Sequence, residues 1–296
     1  MKSSAVVLLL VVSLPFILLQ GCVSPASLDE PLTRDDQYTA SQALTFDFIK
    51  QAAHSDDLSG IAWVPDTQSY YLLLNAGGFI YEVDAHFQLI REIRIKSFDD
   101  PEDLTFLGMT ESGPKFAIVE ERGALAVGVI PDAVFDLDRE MFEIIELDLN
   151  HSGLWSPISW LMSKNKGAEG VAFNEKANVF YVAKEKWPLD VLEVSHKTMS
   201  TDSEVNPTRV FSASELDQIR SEIRDLSSIH FDADSEILYL LSDESRKILT
   251  LDLNTRRVTV IKDTLNLPQP EGMTFGEGGK LIVVSEPYFG LVLERQ

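Results

Sequence analysis

One short phrase recurs five times along the chain, and within each copy apolar residues alternate with others as in a β-strand, each copy being followed by a second apolar run. Its copies are Ser59-Gly60-Ile61-Ala62-Trp63, Glu102-Asp103-Leu104-Thr105-Phe106, Glu169-Gly170-Val171-Ala172-Phe173, Ser227-Ser228-Ile229-His230-Phe231 and Glu271-Gly272-Met273-Thr274-Phe275. After each copy comes a cluster of turn formers such as Pro65-Asp66 or Gly276-Glu277-Gly278-Gly279. Second strands are predicted at 70–74, 116–119, 179–183, 237–241 and 281–284, and third strands at 79–83, 124–130, 189–194, 248–253 and 290–293. Fourth strands follow at 89–95, 142–149, 208–211 and 258–261, but the fifth unit ends with the chain.

A repeat unit that cannot bury its own face must stack on its neighbours. Here the strand-like run at 44–49 stands ahead of the first unit and can supply the missing fourth strand of the last. The expectation is an all-β chain, a β-propeller of five four-stranded blades closed by the N-terminal strand, with six blades as the alternative. Surplus residues between strands form a loop at 131–141 and an aromatic excursion at 150–166 with Trp155 and Trp160. Residues 212–224 read as a helix, because Ser212 and Glu215 make a capping-box pair and Leu216, Ile219 and Ile223 share one face. Both of the latter excursions are expected on the rim of the channel.

The N-terminus departs from this pattern. Lys2 precedes an apolar run over 5–19, too short to span a bilayer and of the length of an export signal. Leu19-Gln20-Gly21-Cys22 resembles the lipobox of bacterial lipoproteins, which implies a signal peptide at 1–22 and a lipid, palmitate or a similar acyl chain, on Cys22, the chain's one cysteine. Val23 after it favours an outer-membrane lipoprotein facing the periplasm, with a secreted or periplasmic protein as the alternative. The polar stretch 23–43 reads as a flexible tether, leaving 44–296 for the propeller.

The formal charge of −22 excludes nucleic acid as a partner, since phosphates call for Lys and Arg, and favours cations. In a blade, the start of the first strand and the end of the second lie at the same channel mouth. Glu102, Glu169 and Glu271 therefore meet Glu121, Glu185, Asp243 and Glu286, with Ser59, Ser227, Asn75 and Lys184 beside them as ligand-binding candidates. Glu102, Glu169, Glu271, Glu121, Asp243 and Glu286 are the metal candidates. An all-oxygen donor set points to a hard ion, Ca2+ before Mg2+. The competing reading is that these acids cap strand ends and bond backbone amides. The five histidines, His54, His86, His151, His196 and His230, have no metal-ligand spacing, and no nucleophile motif or phosphate loop occurs.

The phrases Asp57-Leu58-Ser59-Gly60-Ile61, Asp100-Pro101-Glu102-Asp103-Leu104, Lys166-Gly167-Ala168-Glu169-Gly170, Asp225-Leu226-Ser227-Ser228-Ile229 and Pro270-Glu271-Gly272-Met273 together resemble the SdiA-regulated family of bacterial envelope proteins. That resemblance implies a propeller behind a signal or anchor, with no catalytic residues to carry over. More distantly the layout is similar to esterase-like phytases and lactonase-type propellers that hold Ca2+ in the channel. Two functions follow as expectations. One is a non-enzymatic, lipid-anchored propeller that binds a small molecule or an envelope protein at its acidic mouth, with Ca2+. The other is a metal-dependent hydrolase of a phosphoester or lactone, with Glu102 and Asp103 as the pair to test.

Overall fold

A computed structural model describes residues 32–52, 57–147, 149, 167–186, 189–196 and 207–296. Cys22, the signal segment, the start of the tether and the excursion carrying Trp155 and Trp160 lie outside these. Leu32–Gln296 forms one compact unit.

Its first elements are β1 (Thr33–Arg34), β2 (Tyr38–Thr45) and helix α1 (Asp47–Ala52). Five antiparallel blades follow. Blade 1 is β3 (Leu58–Val64), β4 (Ser69–Leu74), β5 (Phe79–Asp84) and β6 (Leu89–Lys96). Blade 2 is β7 (Pro101–Thr110), β8 (Gly113–Glu120), β9 (Ala124–Val129) and β11 (Glu143–Glu146), with β10 (Asp136–Asp138) between the last two in sequence. Blade 3 is β12 (Ala168–Asn174), β13 (Val179–Lys184), β14 (Asp190–Ser195) and β15 (Thr208–Arg209). Helix α2 (Ala213–Glu222) leads to blade 4, β16 (Ser228–Asp232), β17 (Ile237–Ser242), β18 (Lys247–Asp252) and β19 (Val258–Lys262). Blade 5 is β20 (Gln269–Phe275), β21 (Leu281–Glu286) and β22 (Phe289–Arg295), and β2 supplies its fourth strand.

The five-bladed ring is as the repeat implies, and the innermost strands β3, β7, β12, β16 and β20 contact one another in that order and close on β3. Burial follows from it. One apolar cluster fills each blade interface, for example Ile80, Ile93, Leu104, Phe116 and Ile118 between blades 1 and 2, and Leu241, Ile261, Met273 and Val283 between blades 4 and 5.

The N-terminal closure differs in place from the sequence reading. The closing strand is Tyr38–Thr45, not 44–49, and the residues from Asp47 turn into α1, with Phe46 and Ile49 buried under blades 5 and 1. The reason is that Thr39 to Ala43 are exposed on both faces, so no apolar alternation marks the strand. Residues 33–34 and 38–43, expected in the tether, are therefore part of the propeller. Two blades also carry a fifth, parallel strand that no pattern announced: β1 on β19 and β10 on β6. The loop at 131–141 thus ties blade 2 to blade 1. Arg91 holds its start, donating to the carbonyls of Pro131, Asp132 and Val134 at 2.7, 2.9 and 3.0 Å.

Helix α2 has the expected capping box: Glu215 N–H donates to Ser212 Oγ at 3.3 Å and Ser212 N–H to Glu215 Oε2 at 2.7 Å. Its apolar face of Leu216 and Ile219, with the capping Ile223, packs into the cluster between blades 3 and 4, so it seals a blade interface and contributes no residue to the channel mouth. Ser212→Ala is expected to cost about 1 kcal/mol, a fall in Tm of roughly 2–4 °C by thermal scan.

Candidate functional site

The geometry of the mouth begins with a backbone device. In four blades the ladder between first and second strands slips by one residue at the phrase's opening position, at Ser59, Glu102, Glu169 and Glu271. A bulge leaves one residue unpaired and re-aims its side chain. Ser227 occupies the same place in blade 4, its N–H reaching the Leu241 carbonyl at 3.0 Å just ahead of the ladder. The five bulge or pre-ladder residues point at one another across a cavity of about 320 Å³.

From the ends of the second strands the same cavity receives Asn75, Glu121, Glu185, Asp243 and Glu286. Alternation separates each from its predecessor. Glu120 turns into the blade to take Arg139, with Nη2 to Oε2 at 2.7 Å, while Glu121 faces the cavity. Ser242 turns in to Asp225, and Asp243 faces the cavity. Lys184 turns in as well: its Nζ donates to the Leu149 carbonyl at 2.9 Å and it does not line the cavity, so the structure does not place it with the proposed ligand-binding residues.

Three further carboxylates complete the lining: Asp57, Asp100 and Asp225. Sequence reasoning left them out. The signal was one of position: each stands two residues before the phrase's opening residue, just ahead of the first strand of its blade. Among the described residues ten of the thirteen that line the cavity are acidic, and none is Lys or Arg. The neighbouring cations stand beyond the lining. Lys186 bridges Glu185 and Glu244 at 2.5 and 2.9 Å, and Arg122 meets Asp99 at 3.0 Å.

Crowding like charges in a recess disfavours the ionised form. Burial, followed by repulsion from Glu169, Asp100 and Glu121, pushes Glu102 up to about 10. Burial, then Asp243 and Glu286, lifts Glu271 to about 9. Burial, then Glu185 and Glu121, lifts Glu169 to about 8. Glu121 and Asp243 rise to about 6, again chiefly by burial. Few polar side chains relieve the crowding: Asn75 Nδ2 donates to Glu102 Oε1 at 2.9 Å, and Gln269 Nε2 to Glu286 Oε2 at 2.8 Å. At neutral pH the bulge glutamates therefore hold protons that a cation can displace. Among the described residues, carboxylate oxygens of Asp100, Glu102 and Glu121 lie within 4.8 Å of one another, a spacing that one ion can bridge.

Below the mouth the axis is closed. The residue after each bulge is Gly60, Asp103, Gly170, Ser228 or Gly272, and these meet at van der Waals range. A Cβ on Gly272 would stand 2.9 Å from the Ser59 carbonyl oxygen and 3.0 Å from the Gly60 Cα; one on Gly60 would stand 2.8 Å from Asp103 Oδ1. Asp103 is the one long side chain in this layer and is 1% exposed. It joins three blades, accepting from Leu104 N–H at 2.8 Å, Ser228 Oγ at 3.0 Å and Val171 N–H at 3.4 Å. Glu102 and Asp103, adjacent in sequence and considered as a pair, thus serve different places: one lines the recess and the other plugs its floor.

Comparison with known proteins agrees with this architecture. A structure of luciferin-regenerating enzyme is similar to the chain at 13% identity and TM-score 0.50, covering 85% of this chain and 94% of that one. A nidogen–laminin complex matches at 13% identity and TM-score 0.46 over 77% and 72%, and a streptogramin B lyase at 11% and 0.40 over 81% and 65%. At such identities the first of these likenesses speaks for the fold alone. The family comparison is more direct: the SdiA-regulated family model matches residues 36–291, and the chain belongs to the SdiA-regulated family.

Proposed function

We propose that this protein is a lipid-anchored envelope propeller whose acidic mouth binds Ca2+ and, with it, a small molecule or protein partner. The observation that carries the reading is the convergence of ten carboxylates on one cavity whose lining, among the described residues, has no Lys or Arg. A folded protein retains so costly a cluster when something neutralises it, and the bulges that aim these side chains are built into the blades. The donor set fits the ion: Asp100, Glu102 and Glu121 offer hard oxygen ligands in a roomy recess, where Ca2+ is favoured over the smaller, strictly octahedral Mg2+. Glu169, Glu185, Glu271, Asp243 and Glu286 complete the wall, and Ser59, Ser227 and Asn75 add neutral donors toward a ligand. The hydrolase reading has less behind it, because Asp103 is buried in the floor away from the recess.

Isothermal titration of the chain with Ca2+ tests the proposal. The wild type is expected to bind Ca2+ more tightly than Mg2+ and to release protons, seen as a buffer-dependent heat. Glu102→Gln is expected to weaken Ca2+ at least about tenfold, the loss of one charged ligand being worth 1.4 kcal/mol or more. No heat with the wild type removes the metal from the reading.

A further inference from the structure

The propeller treats the outer edges of its blades unequally, and among the described residues one of them is left open. In blade 1 the edge of β6 is covered by β10 from Arg94 to Lys96 and carries four charged residues, Arg91, Glu92, Arg94 and Lys96. Blade 4 has β1 laid on β19. The outer strand of blade 3 has two residues, and that of blade 2 has four with Glu at both ends. These are the usual means of blunting an edge: cover, brevity and charge. Among the described residues blade 5 uses none of these three, and its outer strand is interrupted only by a bulge at Ser41. Its outer strand β2 has eight residues, Tyr-Thr-Ala-Ser-Gln-Ala-Leu-Thr, without a charge or a proline, in a chain that is 24% charged. Thr39 to Ala43 are all exposed, and among the described residues no strand pairs with the outer side of β2.

The ladder decides which groups face out. Phe46 N–H donates to the Tyr288 carbonyl, and Leu44 and Gln42 stand opposite Gly290 and Val292 in the same register. In an antiparallel ladder hydrogen-bonded positions alternate, so the N–H and C=O of Ala43 and Thr45 point away from β22. Ser41, the bulge residue of this strand, limits the regular stretch to the half that contains both.

We propose that this edge pairs with the same edge of a second copy, antiparallel about a two-fold axis at Leu44. In that register Ala43 of one copy faces Thr45 of the other and the reverse, which makes four backbone hydrogen bonds with every donor and acceptor matched. A two-fold contact needs a self-complementary patch, and here each residue meets a neutral one. Each copy carries a formal charge of −22, so long-range repulsion opposes any contact. The uncharged edge is where two copies can approach with least cost. Screening of the repulsion makes association grow with salt.

Sedimentation equilibrium of the full chain in a neutral detergent, at low and high salt, tests this. The expected result is a monomer–dimer equilibrium that shifts toward dimer as salt rises, and at least a tenfold weaker association for Ala43→Pro. Proline at Ala43 removes only an outward N–H, so the ladder to β22 and the melting temperature are expected to hold. Should Ala43→Pro fail to fold, Thr45→Lys, which places a charge on the same edge, decides. A wild type that stays monomeric at the highest concentration reached, or a dimer that survives the substitution, overturns the proposal. Either outcome leaves the Ca2+ titration unaffected.

Discussion

Stripped of divalent ions with a chelator, the protein is expected to melt at a lower temperature at pH 8 than at pH 5, by roughly 5–10 °C. The sign follows from the glutamates of the mouth. Glu102, Glu169 and Glu271 titrate near 10, 8 and 9 in the folded protein against 4.5 for an ordinary glutamate. Above about pH 4.5 the unfolded chain releases these protons while the folded one keeps them, so stability falls as pH rises through the window up to the folded values. One unit of difference in one group corresponds to about 1.4 kcal/mol, and even a strongly screened fraction of three such shifts amounts to a few kcal/mol. Groups held low work in the opposite sense: Glu215 beside Arg256 and Asp263 beside Lys247 do so in the acid range below this window, while His230, lowered by burial to about 4, does so between pH 5 and about 6.5 and offsets part of the fall. Glu102→Gln, which cannot ionise, is expected to flatten the pH dependence. Ca2+ is expected to restore the lost stability most at pH 8, where it has fewer protons to expel. A melting temperature that is level or rising from pH 5 to pH 8 in chelator contradicts the crowding of charge at the mouth.

The second large effect is expected at the floor. Gly272→Val is expected to destabilise by about 3 kcal/mol or more, because the added carbons must enter space held by the Ser59 carbonyl, the Gly60 Cα and the Val284 side chain. Relaxing that clash would spread blades 5 and 1 at the axis, where each supports the next. Asp103→Ala is expected to cost a similar amount for the opposite reason. It empties the layer and leaves the Val171 N–H and the Ser228 hydroxyl, both buried, without their carboxylate acceptor. Denaturant titration checks both. If either substitution costs less than about 1 kcal/mol, the ordinary cost of a point mutation, the closed axis is not what holds the inner strands together.

The recess was largely legible in the sequence, and the reason lies in short-range geometry. Ser59, Glu102, Glu169, Ser227 and Glu271 open the phrase, and Glu121, Glu185, Asp243 and Glu286 end the strands that follow. A tight turn between two antiparallel strands brings those ends to one mouth wherever the blade sits. Asp57, Asp100 and Asp225 stand two residues ahead of the phrase, outside the strands, where no strand period marks them. Lys184 went astray for another reason. It stands one position from Glu185, and one position reverses the face.

What the sequence determined by itself is whatever depends on neighbours a few residues away: strand periods, turns, the cap of α2, five units and the sign of the charge. The tertiary structure alone decided which lone segment closes the ring, which edges are covered, that the phrase's opening residue is a bulge, and that Asp103 spans three blades. These depend on partners such as Val171 and Ser228 that are far from Asp103 in the chain. No local period encodes a contact between blades; packing around the axis selects it, through the space that Gly60, Gly170 and Gly272 leave open.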